Sequence, residues 1–536
     1  MRHALKRRRF MSSTGASEHT IQTEQTRELH YPAMADVEVL IIGAGFSGLC
    51  MAIKLLQAGH TSFVLIDKHA DVGGTWLLNR YPGCQCDVPS HLYSFSFDRN
   101  PCWTSMYADG REIHRYIKDS ASRHGVLPHV RFNSVVVSTV WDDAAALWHV
   151  EIEQPPAVVS DSQPPAVNPP QMSGTSTITA RFVVRAIGGL HIPNLPVIKG
   201  MEKFSGPAFH SSLWDSSISL EGKTVAVIGT GASSIQIVPE IAPIVKKLYV
   251  FQRSPPWIFP KLNSTIPLWC RQLFMQFPFL MCLFSWLLFL MQEVLGYLLL
   301  ISKGTRKVAQ RAALTHMHGI IEDPDMRQKL EPKYEIGCKR VLLSSSFYPA
   351  LTRPNVELIA DHILEMHENS ILIGATGGQK MRSLHIDIII YATGFDLFSP
   401  FRVVGTSGLE FNQEGYSSLL GTTKQGFPNF FTLLGYNTGA AYTSQLIGIE
   451  AQVRHTMSCL NLMRGPARSI EPHGASERRY QDFLARRIPG TVWTSKGCNS
   501  WYLDPNTGHL FSLWPGSTLE FIYMLWSAKP SDYCIK

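Results

Sequence analysis

The chain has 536 residues, 45% hydrophobic and 17% charged, enough to bury several cores and to form more than one domain. Its 49 basic and 42 acidic residues leave a net charge of +7, too modest to mark a nucleic-acid-binding protein. Ten cysteines in no dense framework, with no cleavable signal peptide evident, point to a reducing, cytoplasmic setting; the lack of a G-x-S-x-G elbow or an H-E-x-x-H helix argues against serine-hydrolase and zinc-peptidase chemistry.

Residues 1–35 include Arg2, Lys6, Arg7, Arg8 and Arg9 and read as a disordered basic leader; an Arg-rich targeting peptide and a start at Met34 are the alternatives. An apolar run over 37–42 then leads into Gly43-Ala44-Gly45-Phe46-Ser47-Gly48 and an apolar helix over 49–56. Strand, tight turn and helix follow in the order a diphosphate site requires. Gly43, Gly45 and Gly48 let backbone approach the phosphates, and the helix amino end offers N–H groups and a positive partial charge. The next strand, 63–66, ends at Asp67 and Lys68, and the Asp67 carboxylate can accept hydrogen bonds from an adenosine ribose. FAD and NAD both fit this half.

Residues 154–176 hold six prolines and a single charge, Asp161, between two strand-like stretches, and read as a long exposed hairpin loop. The strand–turn–helix pattern then repeats at 225–228 with Gly229-Thr230-Gly231-Ala232-Ser233-Ser234, Ser234 standing as a small residue in place of the third glycine. Asp67 lies 24 residues after Gly43, and Arg253 lies 24 residues after Gly229. A carboxylate there would repel a ribose 2′-phosphate, whereas a guanidinium grips it through paired charge-assisted hydrogen bonds. The second site, with Ser254 beside Arg253, therefore suits NADPH; an ordinary solvated charge is the alternative reading of Arg253.

From Leu273 to Met291 there is no charged residue, and Glu293 is the only one before Lys303. These 19 positions reach the length of a membrane span, but Pro278 and Glu293 weigh against one. Buried or membrane-surface helices are expected, with 273–301 as the surface-associating stretch. Gly222-Lys223-Thr224 lacks the phosphate-loop spacing because position 217 is Ser, and Cys84 and Cys86 have no second pair at zinc spacing, so no metal is expected.

Between the two glycine turns runs Phe204-Ser205-Gly206-Pro207-Ala208-Phe209-His210-Ser211-Ser212-Leu213-Trp214-Asp215. It resembles the F-x-G-x-x-x-H-x-x-x-W-[PD] fingerprint of the Baeyer–Villiger monooxygenases, the ketone-oxidising branch of the class B flavoprotein monooxygenases. Gly74-Thr75-Trp76, Tyr81-Pro82-Gly83 and Asp87 resemble the family's second signature, which lies over the flavin. Lys339-Arg340 resembles the segment whose arginine lies beside the flavin and whose lysine helps bind the 2′-phosphate. Trp501 resembles a mobile-loop tryptophan that closes on the cofactor. Ala186-Ile187-Gly188 and Ala392-Thr393-Gly394 resemble the two crossings between domains, the first with Ile187 in place of Thr. The resemblance extends over residues 36 to 515.

What the resemblance implies is an α/β fold of two Rossmann-like dinucleotide-binding domains, for FAD and NADP, with a helical insertion in the NADP domain. The boundaries expected are an FAD domain over 36–190 and 385–536, an NADP domain over 191–259 and 331–384, and the insertion over 260–330. It implies a ketone and O2 as substrates, an ester or lactone as product, and NADPH as reductant. Arg340, permanently charged, would stabilise the oxygen nucleophile and the adduct it forms with the ketone, and Asp87 would orient the guanidinium. Phe204, Gly206, His210 and Trp214 would order the hinge between domains, with acid–base work by His210 as the lesser reading. An N- or S-oxygenating class B enzyme, a disulfide reductase lacking its usual C-x-x-C, and a flavin-binding membrane-attached scaffold are the competing readings.

Overall fold

The computed structural model describes residues 35–154, 174–374, 381–397, 401–413 and 415–536. The basic leader through residue 34 and nearly all of the Pro-rich loop, 155–173, lie outside the described residues.

Two parallel-stranded cores are built on the two glycine turns. In the first, Val37–Ile42 pairs in parallel with Phe63–Ile66 on one side and Thr175–Arg185 on the other. Val39, Leu40 and Ile41 are fully buried, because the strand is covered on both faces. Ile41 faces a core with the helix Phe46–Gln57, while Leu40 faces the antiparallel hairpin Val135–Asp142 and Leu147–Glu153. Phe430–Thr432 returns from the C-terminal part of the chain to pair with Thr175–Arg185 in the same sheet.

The second sheet runs Val356–Ile359, Lys247–Phe251, Thr224–Ile228, Ile388–Tyr391, Ala208–His210, all parallel. This corrects one expectation. The strand Ile388–Tyr391 was assigned above to the first domain, beyond a boundary at 384, yet it pairs in register with Val225–Ile228 of the second. A continuous apolar strand reads as buried whichever sheet receives it, so composition does not name its neighbour. The chain crosses back only after Tyr391, at Ala392-Thr393-Gly394.

Both crossings meet a glycine. A Cβ on Gly43 would stand 2.6 Å from the Ala186 carbonyl oxygen, and one on Gly229 would stand 2.4 Å from that of Ala392. Both glycines also have positive φ, +107° and +109°. The first glycine of each turn is thus fixed by the segment that passes from one domain to the other.

The expected insertion is helical: Leu268–Gln276, Pro278–Ile301, Lys303–His318 and Pro324–Leu330. The long apolar helix Pro278–Ile301 packs one narrow face inward through Met281, Ser285, Phe289, Glu293 and Leu300. Ser285 Oγ donates to the His91 carbonyl, and His91 makes edge contacts with Phe274 and Phe284, joining the insertion to the first domain. Among the described residues Cys338 and Cys498 form a disulfide and the other eight cysteines are free, one more bridge than the cysteine pattern suggested.

Candidate active site

Each glycine turn delivers a helix whose amino end has no side-chain cap: Phe46–Gln57 after Gly45, and Ser234–Ile241 after Ser233. Other helices are capped by a side chain, Gly110–Arg123 by Asp109 and Gln445–Leu462 by Ser444, while several, Leu268–Gln276 and Gly474–Arg487 among them, are not. Uncapped first-turn N–H groups are available to an anion. Open space completes both cradles, since nothing lies within 4 Å of a Cβ on Gly231, and Gly45 faces only the Gly74 Cα at 3.6 Å. Gly74 and Thr75 therefore close over the first turn, and Trp76 is fixed by donating its indole N–H to Tyr93 at 3.1 Å. Ser234 is wholly buried, as a small residue at a helix–strand contact must be.

Asp67 is buried at the end of its strand. Its carboxylate accepts from the Ala44 N–H at 2.7 Å and from both the backbone N–H and Nδ1 of His69 at 2.8 and 2.9 Å. Burial raises its pKa, and the hydrogen bonds from His69 and Ala44 outweigh that, holding it below the usual carboxylate range. Burial lowers the pKa of the neighbouring Lys68, while Asp67 opposes that shift.

At the second site Arg253 is exposed, and Lys339 donates through Nζ to Ser254 Oγ at 2.8 Å. Burial, then the nearby Arg253, lowers the Lys339 pKa. Among the described residues no carboxylate forms an ion pair with either cation. Two neighbouring like charges without an acid between them are chemically suited to an anion such as a phosphate.

Arg340, next in the chain, donates through Nη2 to Asp87 Oδ1 at 2.5 Å, joining residues 253 positions apart. Asp87 raises the guanidinium pKa against the effect of burial. The Arg340 side chain remains 47% exposed because it opens into a cavity of about 210 Å3. Asp87, Lys339 and Arg340 line one part of that cavity; Gln292, Gly296, Leu299 and Leu300 of the long apolar helix line another, with Tyr442, Val492, Trp493, Tyr502 and Leu513. A fixed cation in a cavity of mixed polar and apolar lining, partly withdrawn from bulk water, stabilises developing oxyanion charge more strongly than it would in water.

The remaining predicted residues fall elsewhere. His210 is buried, its Nδ1 2.8 Å from Ser212 Oγ and its ring in edge contact with Phe395, just past the Ala392-Thr393-Gly394 crossing. Burial lowers its pKa, opposed by a backbone hydrogen bond with Gly394. His210 thus packs beside the Ala392-Thr393-Gly394 crossing and does not line the Arg340 cavity. A Cβ on Gly206 would stand 2.3 Å from the Asp387 carbonyl oxygen, Phe204 packs into the same core as Tyr391, and Trp214 makes an edge contact with Phe209. Trp501 is 53% exposed and outside the cavity wall; its neighbour Tyr502, 5% exposed, occupies the wall instead.

Three contributors were not foreseen. The phenol of Tyr502 lies against the Arg340 backbone, and burial pushes its pKa up to about 12 although Arg340 pulls it down. Lys261 donates to Gln85 Oε1 and the Cys86 carbonyl at 2.9 and 3.0 Å, supporting the loop segment that carries Asp87. Gln236, on the second turn's helix, accepts from the Tyr81 hydroxyl at 3.0 Å and donates to the Gln85 carbonyl at 3.0 Å. No local motif marks Gln236 in the sequence, because its partners lie 155 and 151 positions away.

Residues 41–109 match a family model described as an NAD(P)-binding Rossmann-like domain. The chain is 39% identical over 517 residues to a Baeyer–Villiger monooxygenase of Pseudomonas aeruginosa, covering 95% of this chain and 93% of that one. It is 38% identical over 500 residues to one of Streptomyces coelicolor, covering 92% and 91%. Among solved structures, a closed form of cyclohexanone monooxygenase superposes with a TM-score of 0.80 at 25% identity, over 93% of this chain and 99% of that one. A steroid monooxygenase bound to NADP superposes with a TM-score of 0.78 at 25% identity, with the same coverage, 93% and 99%. The OTEMO complex with FAD and NADP gives 0.79 at 25%, over 94% and 100%.

Proposed function

Because the chain belongs to the Baeyer–Villiger monooxygenase family, we propose that its FAD- and NADPH-dependent oxygen insertion acts on a bulky, apolar ketone of secondary metabolism, of polyketide or terpenoid character, at the surface of a membrane. The observation that carries this is the helix Pro278–Ile301, which lines the Arg340 cavity with Gly296, Leu299 and Leu300 and turns an unpartnered apolar face outward. Bound FAD, once reduced by NADPH, supplies the activation of O2 for attack on a carbonyl carbon. The chain supplies the rest. Gly43, Gly45, Gly48 and the uncapped helix after them would hold the FAD diphosphate, with Asp67 and Lys68 at the adenosine and Gly74, Thr75 and Trp76 over the flavin. Gly229, Gly231 and Ser234 would hold the second diphosphate, and Arg253, Ser254 and Lys339 the 2′-phosphate. Arg340, oriented by Asp87, would hold negative charge on the reacting oxygen, with Leu299, Leu300, Val492 and Leu513 supplying the apolar part of the cavity wall.

Leu268, Trp269, Phe279, Trp286, Leu290 and Val294 are each between 44% and 66% exposed on this pair of helices. Between residues 262 and 321 the only acid is Glu293, which is buried, while Lys303, Lys307 and Arg311 are exposed at the end of the apolar face. An apolar face with a basic rim complements an anionic bilayer surface. The enzyme then works at the cytoplasmic face of such a membrane, taking lipophilic ketones from it.

Sedimentation with vesicles tests the location. Binding to anionic vesicles, weakened by salt and lost in Trp286→Ser/Leu290→Ser, is expected; no sedimentation, or burial of the face by self-association, would overturn it. For the substrate, polycyclic and long-chain ketones should give kcat/KM at least about tenfold above cyclohexanone. A preference for the small ring would refute the assignment.

A further inference from the structure

The Cys338–Cys498 disulfide joins positions 160 apart in sequence, and its two ends sit at unusual places. Cys338 immediately precedes Lys339 and Arg340, and is wholly buried with Trp257, Tyr334 and Ile336. Cys498 lies three residues before Trp501, half-buried between exposed Gly497 and Asn499. Among the described residues, the hydrogen bonds made by 495–501 close locally: Ser495 N–H to Val492, Cys498 N–H to Ser495, and Leu503 and Tyr502 N–H groups to Ser500. No helix or strand runs through 495–502. Apart from the packing of Tyr502 against the Arg340 backbone, the disulfide is therefore the covalent long-range tether of the Trp501 loop, and it is fastened to the segment that carries Lys339 and Arg340.

We propose that Cys338–Cys498 is a thiol–disulfide exchange site that clamps the Trp501 loop to the Lys339–Arg340 segment and releases it on reduction. In a reducing compartment a disulfide persists as a redox-responding pair rather than as a structural staple. The partner is a dithiol. Its thiolate attacks Cys498 Sγ, the more accessible sulfur, breaking the S–S bond; Cys338 leaves as a thiolate beside Lys339 and Arg340. The second thiol of the partner then attacks the mixed disulfide, closing the partner's own disulfide and freeing Cys498. Two electrons pass to the protein, and each cysteine takes up one proton. Opening the tether returns conformational freedom to the loop and withdraws Tyr502 from the Arg340 backbone, so loop closure over the cofactor must be achieved afresh in each turnover.

The test uses the full flavin-containing protein before and after mild treatment with dithiothreitol. Alkylation in denaturant after removal of the dithiothreitol, followed by mass spectrometry, should label eight cysteines in the untreated protein and ten in the treated one. Trypsin cleavage of the native protein at Lys496 should accelerate about tenfold on reduction, and the KM for NADPH should rise with it. Cys498→Ser should behave as the reduced protein does and ignore dithiothreitol, and re-oxidation of the wild type with diamide should restore the starting values. Ten labelled cysteines even after diamide treatment would overturn the proposal. So would cleavage at Lys496 that reduction leaves unchanged, and both readouts are independent of whether a ketone is oxidised.

Discussion

Gln236 donates to the Gln85 carbonyl across the domain boundary at 3.0 Å, so the helix of the second glycine turn holds the segment that ends two residues later in Asp87. The same side chain accepts from the Tyr81 hydroxyl, and a Cβ on Gly83 would stand 2.7 Å from the Gln236 carbonyl oxygen. Nucleotide binding in one domain and carboxylate position in the other are thereby mechanically linked. Gln236→Ala leaves three polar groups, the Tyr81 hydroxyl and the Gln85 N–H and carbonyl, short of a partner, at a cost of about 1–3 kcal/mol for each that stays unpaired. The variant should melt lower and turn less of its consumed NADPH into ester, as measured by thermal unfolding and the ester-to-NADPH ratio. Unchanged coupling would show that the link does not govern Asp87.

Arg253 and Lys339 form the acid-free pair of cations beside Ser254. Loss of either should raise the KM for NADPH by about ten- to a hundredfold, the worth of a hydrogen bond to a charged group. The KM for NADH should move far less. Steady-state kinetics of Arg253→Ala and Lys339→Ala with both coenzymes decide the matter, and equal effects on the two would refute 2′-phosphate recognition.

A pH dependence follows from His91, buried against Phe274 and Phe284 where helices of the insertion meet the first domain. Burial, assisted by Arg99, lowers its pKa to about 4. The unfolded chain binds the proton near the ordinary value of about 6.5, so stability is whole above that value and falls as pH drops from there to about 4. The slope from this one group is at most about 1.4 kcal/mol per pH unit. His91→Phe should flatten that part of the melting-temperature profile, and an unchanged profile would assign the acid sensitivity to other groups.

The glycine turns, the fingerprint around His210 and the Lys339-Arg340 segment were all legible in sequence because each needs a particular residue at a fixed local spacing. Gly43 and Gly229 illustrate why: backbone from a distant crossing occupies the space of a side chain, so only glycine fits. Long-range partners were less legible. Ile388–Tyr391 is apolar enough for either sheet, and its place in the second is set by pairing with Val225–Ile228. Tyr502 and Gln236 act through neighbours far away in the chain, and the Cys338–Cys498 pair gave no spacing motif. Trp501 drew notice by resemblance, while the residue in the cavity wall is the one after it.

The most direct test of the role of Arg340 is a single turnover in which the enzyme is reduced anaerobically by NADPH and then mixed with 18O2 and a ketone. The wild type should give ester carrying one labelled oxygen, with the second in water. Arg340→Ala should be reduced by NADPH normally yet form ester at least about a hundredfold more slowly, the consumed oxygen appearing as hydrogen peroxide. Labelled ester from Arg340→Ala at the wild-type rate would contradict the account.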